Sequence, residues 1–472
     1  GGHSEMKWPE KITPPLVQQL IRSEKNLEKA VSIFDSATAE YSNGYRHDQS
    51  TFTLIIKRLL SANKFIDSEH ILARMKQEDC EINEDVFISI YKAYARVHKP
   101  LEVVRSFEKM KEYGCEPSIK SYVTVFSVLV DEGHLKMAFR FYRDIKARGI
   151  PTDVPMLNVL IKALCKSDET LDSACEIFRE MPKRGHAPDS YTYSTLISGL
   201  CRGGRTLEAK ELLIEMEANG CSPSVITYTC LIHGFCRLNK LEDAMELFKE
   251  MKIKGVSPNV YTYSSVIDGL CKNGLSSQAK LMLEKMIRDK LVPNFITYSS
   301  LIHGFCSQEG SVVEAVGILD RMKLQNLKPD AGLYSKITNA LCDSSRFREA
   351  ADFIDEMILS GVTPNRVTWG LHVRIHNRVI RGLCVGVAAS SDRAFALYRS
   401  ARCRGVSVEA ETYRSLIEHC RRDAERVSRI LDEMVVDGCV PCEGTWSAVM
   451  DAVCCDRKMS KREARLLQDE LI

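Results

Sequence analysis

The chain has 472 residues, and 44% of them are hydrophobic, which is enough material for an extensive core. Its 65 basic and 63 acidic residues give a formal net charge of +2, less basic than is usual for a protein that slides freely on DNA. Any nucleic-acid surface must therefore come from local clusters of Lys and Arg. No apolar run approaches the ~18 residues that a membrane-spanning helix needs, so we expect no contact with a membrane.

The 18 cysteines do not form the pattern of a disulfide framework. Many of them recur at a fixed interval inside apolar helical patterns, as buried thiols of a reducing compartment do. Residues 1–11 are predicted to be an N-terminal tail. They carry no Arg- and Ser-rich pattern from which targeting could be predicted.

Internal repetition dominates the sequence from residue 12 onwards. Thr192, Thr227, Thr262 and Thr297 stand at the same place in four similar segments, each 35 residues after the last. We predict a degenerate capping repeat over 12–48 and nine full repeats over 49–365. Two divergent repeats with an insertion at 369–375 follow over 366–442, and a partial C-terminal capping repeat covers 443–472. The nine repeats begin at residues 49, 84, 119, 154, 190, 225, 260, 295 and 331.

Each repeat is predicted to be a pair of antiparallel helices. In repeat 225–259 two apolar stripes at helical spacing are separated by a short polar turn. Gly255 is expected to end the second helix, and Pro258 prevents its continuation. Thr262 is expected to cap the first helix of the next repeat. Stacked pairs of this kind bury each other's faces, which predicts an all-α fold.

Two positions in the repeat carry small polar residues. The fifth residue is Asn158, Ser194, Thr229, Ser264, Ser299 or Ser335 in successive repeats, and the last is Asp189, Ser224, Asn259, Asn294, Asp330 or Asn365. A few such side chains per helical repeat can recognise the Watson–Crick edge of a single-stranded base. The same residue types are also common helix caps and turn formers, which explains their polarity but not their consistent pairing.

The repeats closely resemble those of the pentatricopeptide-repeat family, in particular its plain P-type members from plant organelles. The resemblance is carried by the Thr-Tyr-Thr-x-Leu-Ile-x-Gly-Phe-Cys segment of repeat 225–259, by its Leu-Glu-Asp-Ala-Met-Glu-Leu-Phe-Lys-Glu-Met segment and by its closing Gly-Val-Ser-Pro-Asn. It implies a right-handed α-solenoid superhelix of about 12 two-helix repeats that binds single-stranded RNA, one base per repeat. Tetratricopeptide repeats run 34 residues with a Trp…Leu-Gly…Tyr pattern that these units lack.

The resemblance also implies which base each pair reads. Adenine is implied by Thr53 with Asn83, Thr229 with Asn259, Ser264 with Asn294 and Ser335 with Asn365; uracil by Asn158 with Asp189; and guanine by Ser299 with Asp330. Ser194 with Ser224 is less defined and is assigned to adenine. Ile88 with Ser118 and Val123 with Asp153 depart from the pattern, because an apolar side chain cannot donate a hydrogen bond. The implied site is A-n-n-U-A-A-A-G-A.

Two further sets of residues complete the expected RNA surface. The resemblance implies that the second-position side chains Tyr191, Ile226, Tyr261 and Ile296 clamp the bases, although packing between repeats is an equal alternative for Ile226 and Ile296. The thirteenth-position cations Lys166, Arg202, Arg237 and Lys272 are candidates for phosphate contacts. Their alternative role is to complement the dipole at a helix C-terminus. The series ends at Ser307 and Asp343, so we expect a weaker electrostatic groove beyond them.

We expect no catalytic residue, metal, cofactor or small-molecule substrate. Seven cysteines at one repeat position are predicted to be small buried hydrophobes: Cys165, Cys201, Cys236, Cys271, Cys306, Cys342 and Cys384. Cys439 and Cys442 form a lone Cys-x-x-Cys whose spacing to Cys454 and Cys455 matches no zinc pattern. His233 and His303 are expected at the surface. The only His-x-Glu triplet is His3-Ser4-Glu5, which lies in the predicted N-terminal tail, so no deaminase domain is expected.

Three functions remain open at this point. The first is sequence-selective binding of an organellar transcript in RNA processing, stabilisation or translation. The second is a structural role in an organellar ribosome, with ribosomal RNA and proteins as partners. The third is a tetratricopeptide-like scaffold for protein interactions. We expect a mitochondrial location, with the chloroplast as the alternative.

Overall fold

A computed structural model describes residue 8 and residues 12–308, 310–364, 366, 368–385 and 391–457. All regular structure in these ranges is helical, with 25 α-helices and three short 3-10 helices at Glu40–Asn43, Lys111–Tyr113 and Asp168–Thr170. None of the described helices is long and apolar enough to cross a bilayer. The predicted tail at 1–11 lies outside the described residues, apart from Trp8.

The helices alternate between a first and a second member of each pair. Their bounds are α1 Pro14–Ser23, α2 Leu27–Ala39, α3 Gln49–Ser61, α4 Phe65–Gln77, α5 Glu84–Arg96, α6 Pro100–Met110, α7 Ile119–Asp131, α8 Leu135–Ala147, α9 Val154–Leu164, α10 Leu171–Lys183, α11 Ser190–Arg202, α12 Thr206–Ala218, α13 Val225–Arg237, α14 Leu241–Ile253, α15 Val260–Lys272, α16 Ser276–Arg288, α17 Phe295–Cys306, α18 Val312–Leu324, α19 Ala331–Asp343, α20 Phe347–Leu359, α21 Trp369–Val385, α22 Ser391–Cys403, α23 Ala410–His419, α24 Ala424–Val436 and α25 Glu443–Arg457.

The chain divides into two compact units, residues 1–223 and 224–472. Within the first unit, the odd-numbered helices pack in sequence from α1 to α11, and within the second they pack in sequence from α13 to α25. Within each unit, several second helices also contact the first helix of the following repeat, as α10 contacts α11 and α16 contacts α17. This arrangement is an α-solenoid, in which a helix pair buries its apolar faces only against its neighbours.

The first helix α15 begins three residues earlier than a cap at Thr262 would place it. The cap of α15 is Asn259, whose Oδ1 accepts hydrogen bonds from the backbone N–H of Thr262 at 2.9 Å and from its hydroxyl at 3.0 Å. The Thr262 hydroxyl in turn accepts from the Asn259 backbone N–H at 3.3 Å. The expectation that Thr262 is the cap is therefore wrong: Thr262 is the third helical residue of a reciprocal capping box. The same box starts α11 at Asp189 and α13 at Ser224.

The second helices end as the sequence predicts. Gly255 has φ +75°, and its N–H donates to Lys252 O at 3.1 Å, while Val256 N–H donates to Met251 O at 3.0 Å. This left-handed turn satisfies carbonyls that the helix end would leave without partners, and glycine adopts it without steric cost. The chain is thereby aimed at the next first helix.

The first helices approach one another closely because a glycine of one faces a cysteine of the preceding one. A Cβ atom added at Gly269 would lie 2.6 Å from Cys236 Sγ, and one at Gly304 would lie 2.7 Å from Cys271 Sγ. Burial raises the pKa of both thiols to about 12. Six of the seven repeated cysteines are buried and Cys306 is half-buried, which confirms their prediction as small hydrophobes.

The divergent region keeps the alternation of helices. Residues 369–375, predicted to be an insertion, form the start of α21, which at 17 residues is longer than the 13-residue α15 and α19. At the C-terminus α25 packs on α23 and α24. Residues 458–472 of the predicted capping repeat lie outside the described part of the chain.

Candidate nucleic-acid interface

The fifth and last residues of one repeat meet at the start of the next first helix. In repeat 154–189, Asn158 Oδ1 accepts a hydrogen bond from the Thr192 hydroxyl at 2.6 Å, and Asn158 Nδ2 lies 3.4 Å from Asp189 Oδ1. Asp189 Oδ1 also accepts from the Thr192 backbone N–H at 2.8 Å. Burial raises the pKa of this carboxyl group, but the hydrogen bonds from Thr192 and Asn158 outweigh it and leave the pKa below its ordinary value. Asp189 is thus held as an anion.

Two repeats of the second unit have the same network. The hydroxyl groups of Thr229 and Thr262 are 2.7 Å apart, and Thr262 is bonded to Asn259 as described above. Ser264 lies 2.7 Å from Thr297, whose backbone N–H and hydroxyl both donate to Asn294 Oδ1. In each case the third helical residue bridges the two positions that the sequence pairs. The capping role and the pairing are therefore combined in one network.

The remaining pairs are placed less uniformly. Thr53 donates to the Gln49 carbonyl of its own helix at 2.8 Å, and Asn83 begins α5 without a side-chain cap bond. Asp330 is exposed and caps α19 by accepting from Leu333 N–H at 2.8 Å. The others are as follows: Ser194 and Ser299 are half-buried, Ser335 is buried, Ser224 is exposed as the cap of α13, and Asn365 lies outside the described residues.

The two residues of a pair differ in how far they are exposed to solvent. The fifth-position residues Asn158 and Ser264 are each 6% exposed, while the last-position residue Asp189 is exposed and Asn259 is half-buried. A ligand approaching the first helices would therefore meet mainly the last residue. The buried fifth residue would determine the direction of the hydrogen bonds that the last residue makes within the protein.

The second-position side chains form a separate exposed set. Tyr191, Ile226, Tyr261 and Ile296 are 52%, 67%, 66% and 56% exposed. They lie near the starts of α11, α13, α15 and α17, next to the polar networks in sequence. Packing between repeats does not account for them, because large apolar side chains that pack between repeats would be buried.

The thirteenth-position cations lie at or just beyond the ends of the first helices, and all four are exposed. Arg202 and Lys272 illustrate partners within the protein. Arg202 Nη1 donates to the Cys165 carbonyl at 3.1 Å, and Lys272 Nζ lies 2.6 Å from Asp268 Oδ2. Arg202 thus has a role at a helix terminus and Lys272 forms an ion pair within its own helix, alongside any contact with phosphate.

A role for arginine in joining repeats was not expected from the sequence. Arg96 stands at the thirteenth position of its repeat, and its Nη2 donates to the Leu60 carbonyl at 2.9 Å. Leu60 and Cys165 occupy the same position in their repeats, so Arg96 and Arg202 both cap the preceding first helix. The recurrence of Arg or Lys at this position was the only signal in the sequence. It does not distinguish a side chain that bonds to a backbone carbonyl from one that binds an RNA phosphate.

The described residues hold no group of three or more His, Cys, Asp or Glu side chains placed to bind a metal ion. Cys439 is half-buried and Cys442 exposed, while the side chains of Cys454 and Cys455 lie outside the described set. His233 and His303 are exposed on α13 and α17, as expected.

Regular helix pairs, three of them with a polar network at the start of the next first helix, define a helical-repeat protein. Three family models match the chain: "PPR repeat family" at 152–202, 195–237, 223–272 and 265–307, "Pentatricopeptide repeat domain" at 70–132, and "PPR repeat" at 120–150, 296–327 and 333–362. A pentatricopeptide repeat-containing protein of Arabidopsis thaliana is 50% identical over 446 residues, 94% of this chain and 94% of its own length. The chain belongs to the pentatricopeptide repeat family.

Two further relatives are informative. A second Arabidopsis thaliana pentatricopeptide repeat-containing protein, named as mitochondrial, is 30% identical over 158 residues, which are 33% of this chain and 34% of that protein. The crystal structure of the pentatricopeptide repeat protein PPR10 from maize matches with a TM-score of 0.50 and 22% identity. The match covers 94% of this chain and 66% of the maize chain, and it shows a shared fold.

Proposed function

We propose that this protein binds single-stranded RNA, with one base read at each complete polar network, and that it acts by occupying RNA and not by catalysis. The observation that carries the proposal is the repeated network of fifth residue, bridging Thr and last residue, set beside an exposed apolar side chain. Stacking on the apolar side chain and hydrogen bonding to the network are the two interactions that hold single-stranded bases on proteins.

The hydrogen-bond directions at Thr229 and Asn259 favour adenine. A backbone N–H can only donate, so the bond from Thr262 N–H fixes Asn259 Oδ1 inward and leaves Nδ2 as an outward donor. The Thr262 hydroxyl gives its single proton to Asn259 Oδ1, so Thr229 donates to Thr262 and keeps its lone pairs. The outward donor, Asn259 Nδ2, matches the acceptor N1 of adenine. The outward acceptor, the Thr229 hydroxyl oxygen, matches the amino group of adenine.

The network at Asn158 and Asp189 has the opposite polarity. Asn158 Nδ2 faces Asp189 Oδ1 and Asn158 Oδ1 faces the Thr192 hydroxyl, so Nδ2 is the donor of the pair, and the ionised Asp189 offers only acceptors. This order matches a carbonyl oxygen and N3–H of uracil. At Ser299 and Asp330 the exposed carboxylate is likewise an acceptor, which suits N1–H of guanine. The proposed site is A-n-n-U-A-A-A-G-A.

Binding of this RNA and of a scrambled RNA of equal composition tests the proposal. We expect the designed sequence to bind at least about tenfold more tightly, because each correct base contributes ~1–3 kcal/mol and 1.4 kcal/mol corresponds to a factor of ten. Equal affinities would show that the networks do not read bases and would favour a scaffold for protein interactions.

The exposed ring of Tyr261 provides a prediction for stacking. Tyr261→Ala is expected to weaken RNA binding by ~1–3 kcal/mol, the usual contribution of one stacked base. The thermal midpoint should stay nearly unchanged, since the side chain is 66% exposed. Tyr261→Phe is the matched control and should retain wild-type affinity in fluorescence-anisotropy titrations. A loss of stability equal to the loss of binding would instead mean that Tyr261 packs against a neighbouring repeat.

Lys272 provides a prediction for the phosphate contacts. Lys272→Ala should weaken the designed and the scrambled RNA to the same degree and lower the salt dependence of binding by about one counterion. Titrations at several salt concentrations measure both effects. Asp268→Ala, which removes the ion-pair partner of Lys272, should leave the salt slope intact. A loss confined to one RNA would contradict a phosphate role.

We propose a role in the processing, stabilisation or translation of an organellar transcript, with a mitochondrial location as the first choice. The mitochondrial name of one relative supports that choice. A structural role on ribosomal RNA is the second candidate, favoured by repeats such as 84–118, where buried Ile88 replaces the polar fifth residue. Crosslinked RNA recovered from mitochondria and chloroplasts distinguishes them: one discrete footprint supports the first role, and recovery with ribosomal subunits supports the second.

A further inference from the structure

A cation from one second helix covers the tyrosine of the next first helix in repeat 225–259. Lys252 Nζ lies 3.0 Å from the hydroxyl of Tyr263 and 2.8 Å from Asp289 Oδ2. It also lies 5.4 Å from the ring centroids of Tyr263 and Phe248, which pack edge-to-face at 5.3 Å. Distances within about 6 Å of a ring centroid give a cation–π attraction. The lysine therefore closes a pocket formed by two rings and a carboxylate.

The same arrangement recurs at two other places in the second unit. The equivalent sets are Lys323 with Tyr334 and Glu356, and Arg402 with Tyr413 and Asp437. In each set the cation stands 11 residues before the tyrosine, as Lys252 does before Tyr263. In these three sets the basic residue at this position is thus the structural partner of the tyrosine and the carboxylate.

The first unit departs from this arrangement at Tyr193. The residue 11 positions before it is Pro182, which has no charge to offer. The aromatic pair itself is retained, since Phe178 and Tyr193 pack edge-to-face at 5.0 Å and 75°, against 5.3 Å and 73° for the pair near Lys252. A cavity of about 560 Å³ lies here between α10, α11 and α12, lined by the two rings, Pro182, Glu215 and Asn219.

The charges around the two aromatic pairs also differ. Glu215 and Asn219 stand where the covered pocket has Lys285 and Asp289, each 70 residues later. The three positions carry a summed formal charge of +1 in the covered pocket (Lys252, Lys285 and Asp289). At Tyr193 the same three positions (Pro182, Glu215 and Asn219) carry a summed formal charge of −1. The Tyr193 hydroxyl donates to Glu215 Oε1 at 3.0 Å and accepts from Asn219 Nδ2 at 2.7 Å. The second carboxylate oxygen remains to receive a cation.

A neighbouring cation does not take the place of the missing one. Arg179 is exposed and also lines the cavity, but its counterpart 70 residues later is Lys249. At the covered pair the sequence thus has a lysine at this position in addition to Lys252. The pocket at Tyr193 therefore lacks the cation that Lys252, Lys323 and Arg402 place beside the tyrosine in the three sets above.

We propose that this cavity binds an alkylammonium group supplied from outside the chain, with Glu215 as the counter-ion and the Phe178–Tyr193 pair as the apolar wall. The ammonium group would occupy the place that Lys252 Nζ occupies in the other repeat. Its source is a free polyamine or a lysine side chain of a partner protein. The site lies at the second helices and is independent of the RNA proposal.

Butylammonium, which reproduces the end of a lysine side chain, is the probe for the test. Saturation-transfer NMR on the full chain should show it binding to the wild type and to Pro182→Ala, and 1-butanol should not bind. Pro182→Lys supplies the cation from within the chain and should weaken butylammonium binding by roughly tenfold or more.

Binding that is equal in the wild type and Pro182→Lys would overturn the proposal, as would no binding to the wild type. Glu215→Gln gives an independent check, since it keeps the shape of the cavity and should still reduce binding by several-fold. Spermidine and N-acetyl-lysine-methylamide then distinguish the sources. Clearly tighter binding of spermidine indicates a polyamine, and equal binding of the two indicates a lysine side chain of a protein partner.

Discussion

The double variant Thr229→Asn, Asn259→Asp is expected to change the preferred base at one position of the RNA from adenine to uracil. The substitutions give the network at α13 and α15 the residues found at Asn158 and Asp189, and the bridging Thr262 is kept. The outward donor and acceptor then exchange places, because a carboxylate cannot donate and an amide at 229 replaces a hydroxyl group. The preference should change by about tenfold or more in each direction.

Competition titrations with two RNAs that differ only at that base measure the change. The reciprocal variant Asn158→Thr, Asp189→Asn is the matched control and should convert the uracil position to adenine. Unchanged preferences in both variants, with the fold intact, would mean that these side chains serve only as helix caps.

The largest expected effect on stability comes from the contact between Gly269 and Cys236. Gly269→Ala places a methyl group 2.6 Å from Cys236 Sγ and 2.8 Å from its Cβ, so the two first helices must separate. Overpacking of this kind costs ~1–3 kcal/mol. Urea denaturation followed by circular dichroism should show the transition of the second unit at a lower denaturant concentration.

Gly317→Ala is the matched control for this effect. Gly317 lies within α18 with no atom within 4 Å of an added Cβ, so alanine there should stabilise the helix by ~0.5–1 kcal/mol. Opposite shifts of the two variants are the expected result. Equal shifts would show that helix propensity alone governs both positions and that the approach of α13 and α15 is looser than the structure indicates.

The sequence alone predicts the helix pairs because the 35-residue period and the helical spacing of apolar residues repeat many times. The start of the first helices was misassigned for a physical reason. In a reciprocal capping box both Asn259 and Thr262 are residue types that cap helices, and only the backbone geometry shows which one precedes the helix.

Local sequence could not decide the roles of Ile226 and Arg202. An apolar residue at a helix start is compatible with packing or with exposure, and the outcome depends on how closely the neighbouring repeat approaches. The bond from Arg202 to the Cys165 carbonyl likewise depends on the stacking of α11 on α9. The pairing of Asn158 with Asp189 was visible as a pattern, but the bridging Thr192 that joins them was not expected.

Photocrosslinking of RNA that carries 4-thiouridine at the fourth position of A-n-n-U-A-A-A-G-A tests the central claim most directly. If one base is read at each network, the crosslink should lie at the start of α11, on or beside exposed Tyr191, next to Asn158 and Asp189. Moving the label to the ninth position should move the crosslink into the second unit. Crosslinks confined to the second helices, or unchanged when the label moves, would contradict base-by-base reading.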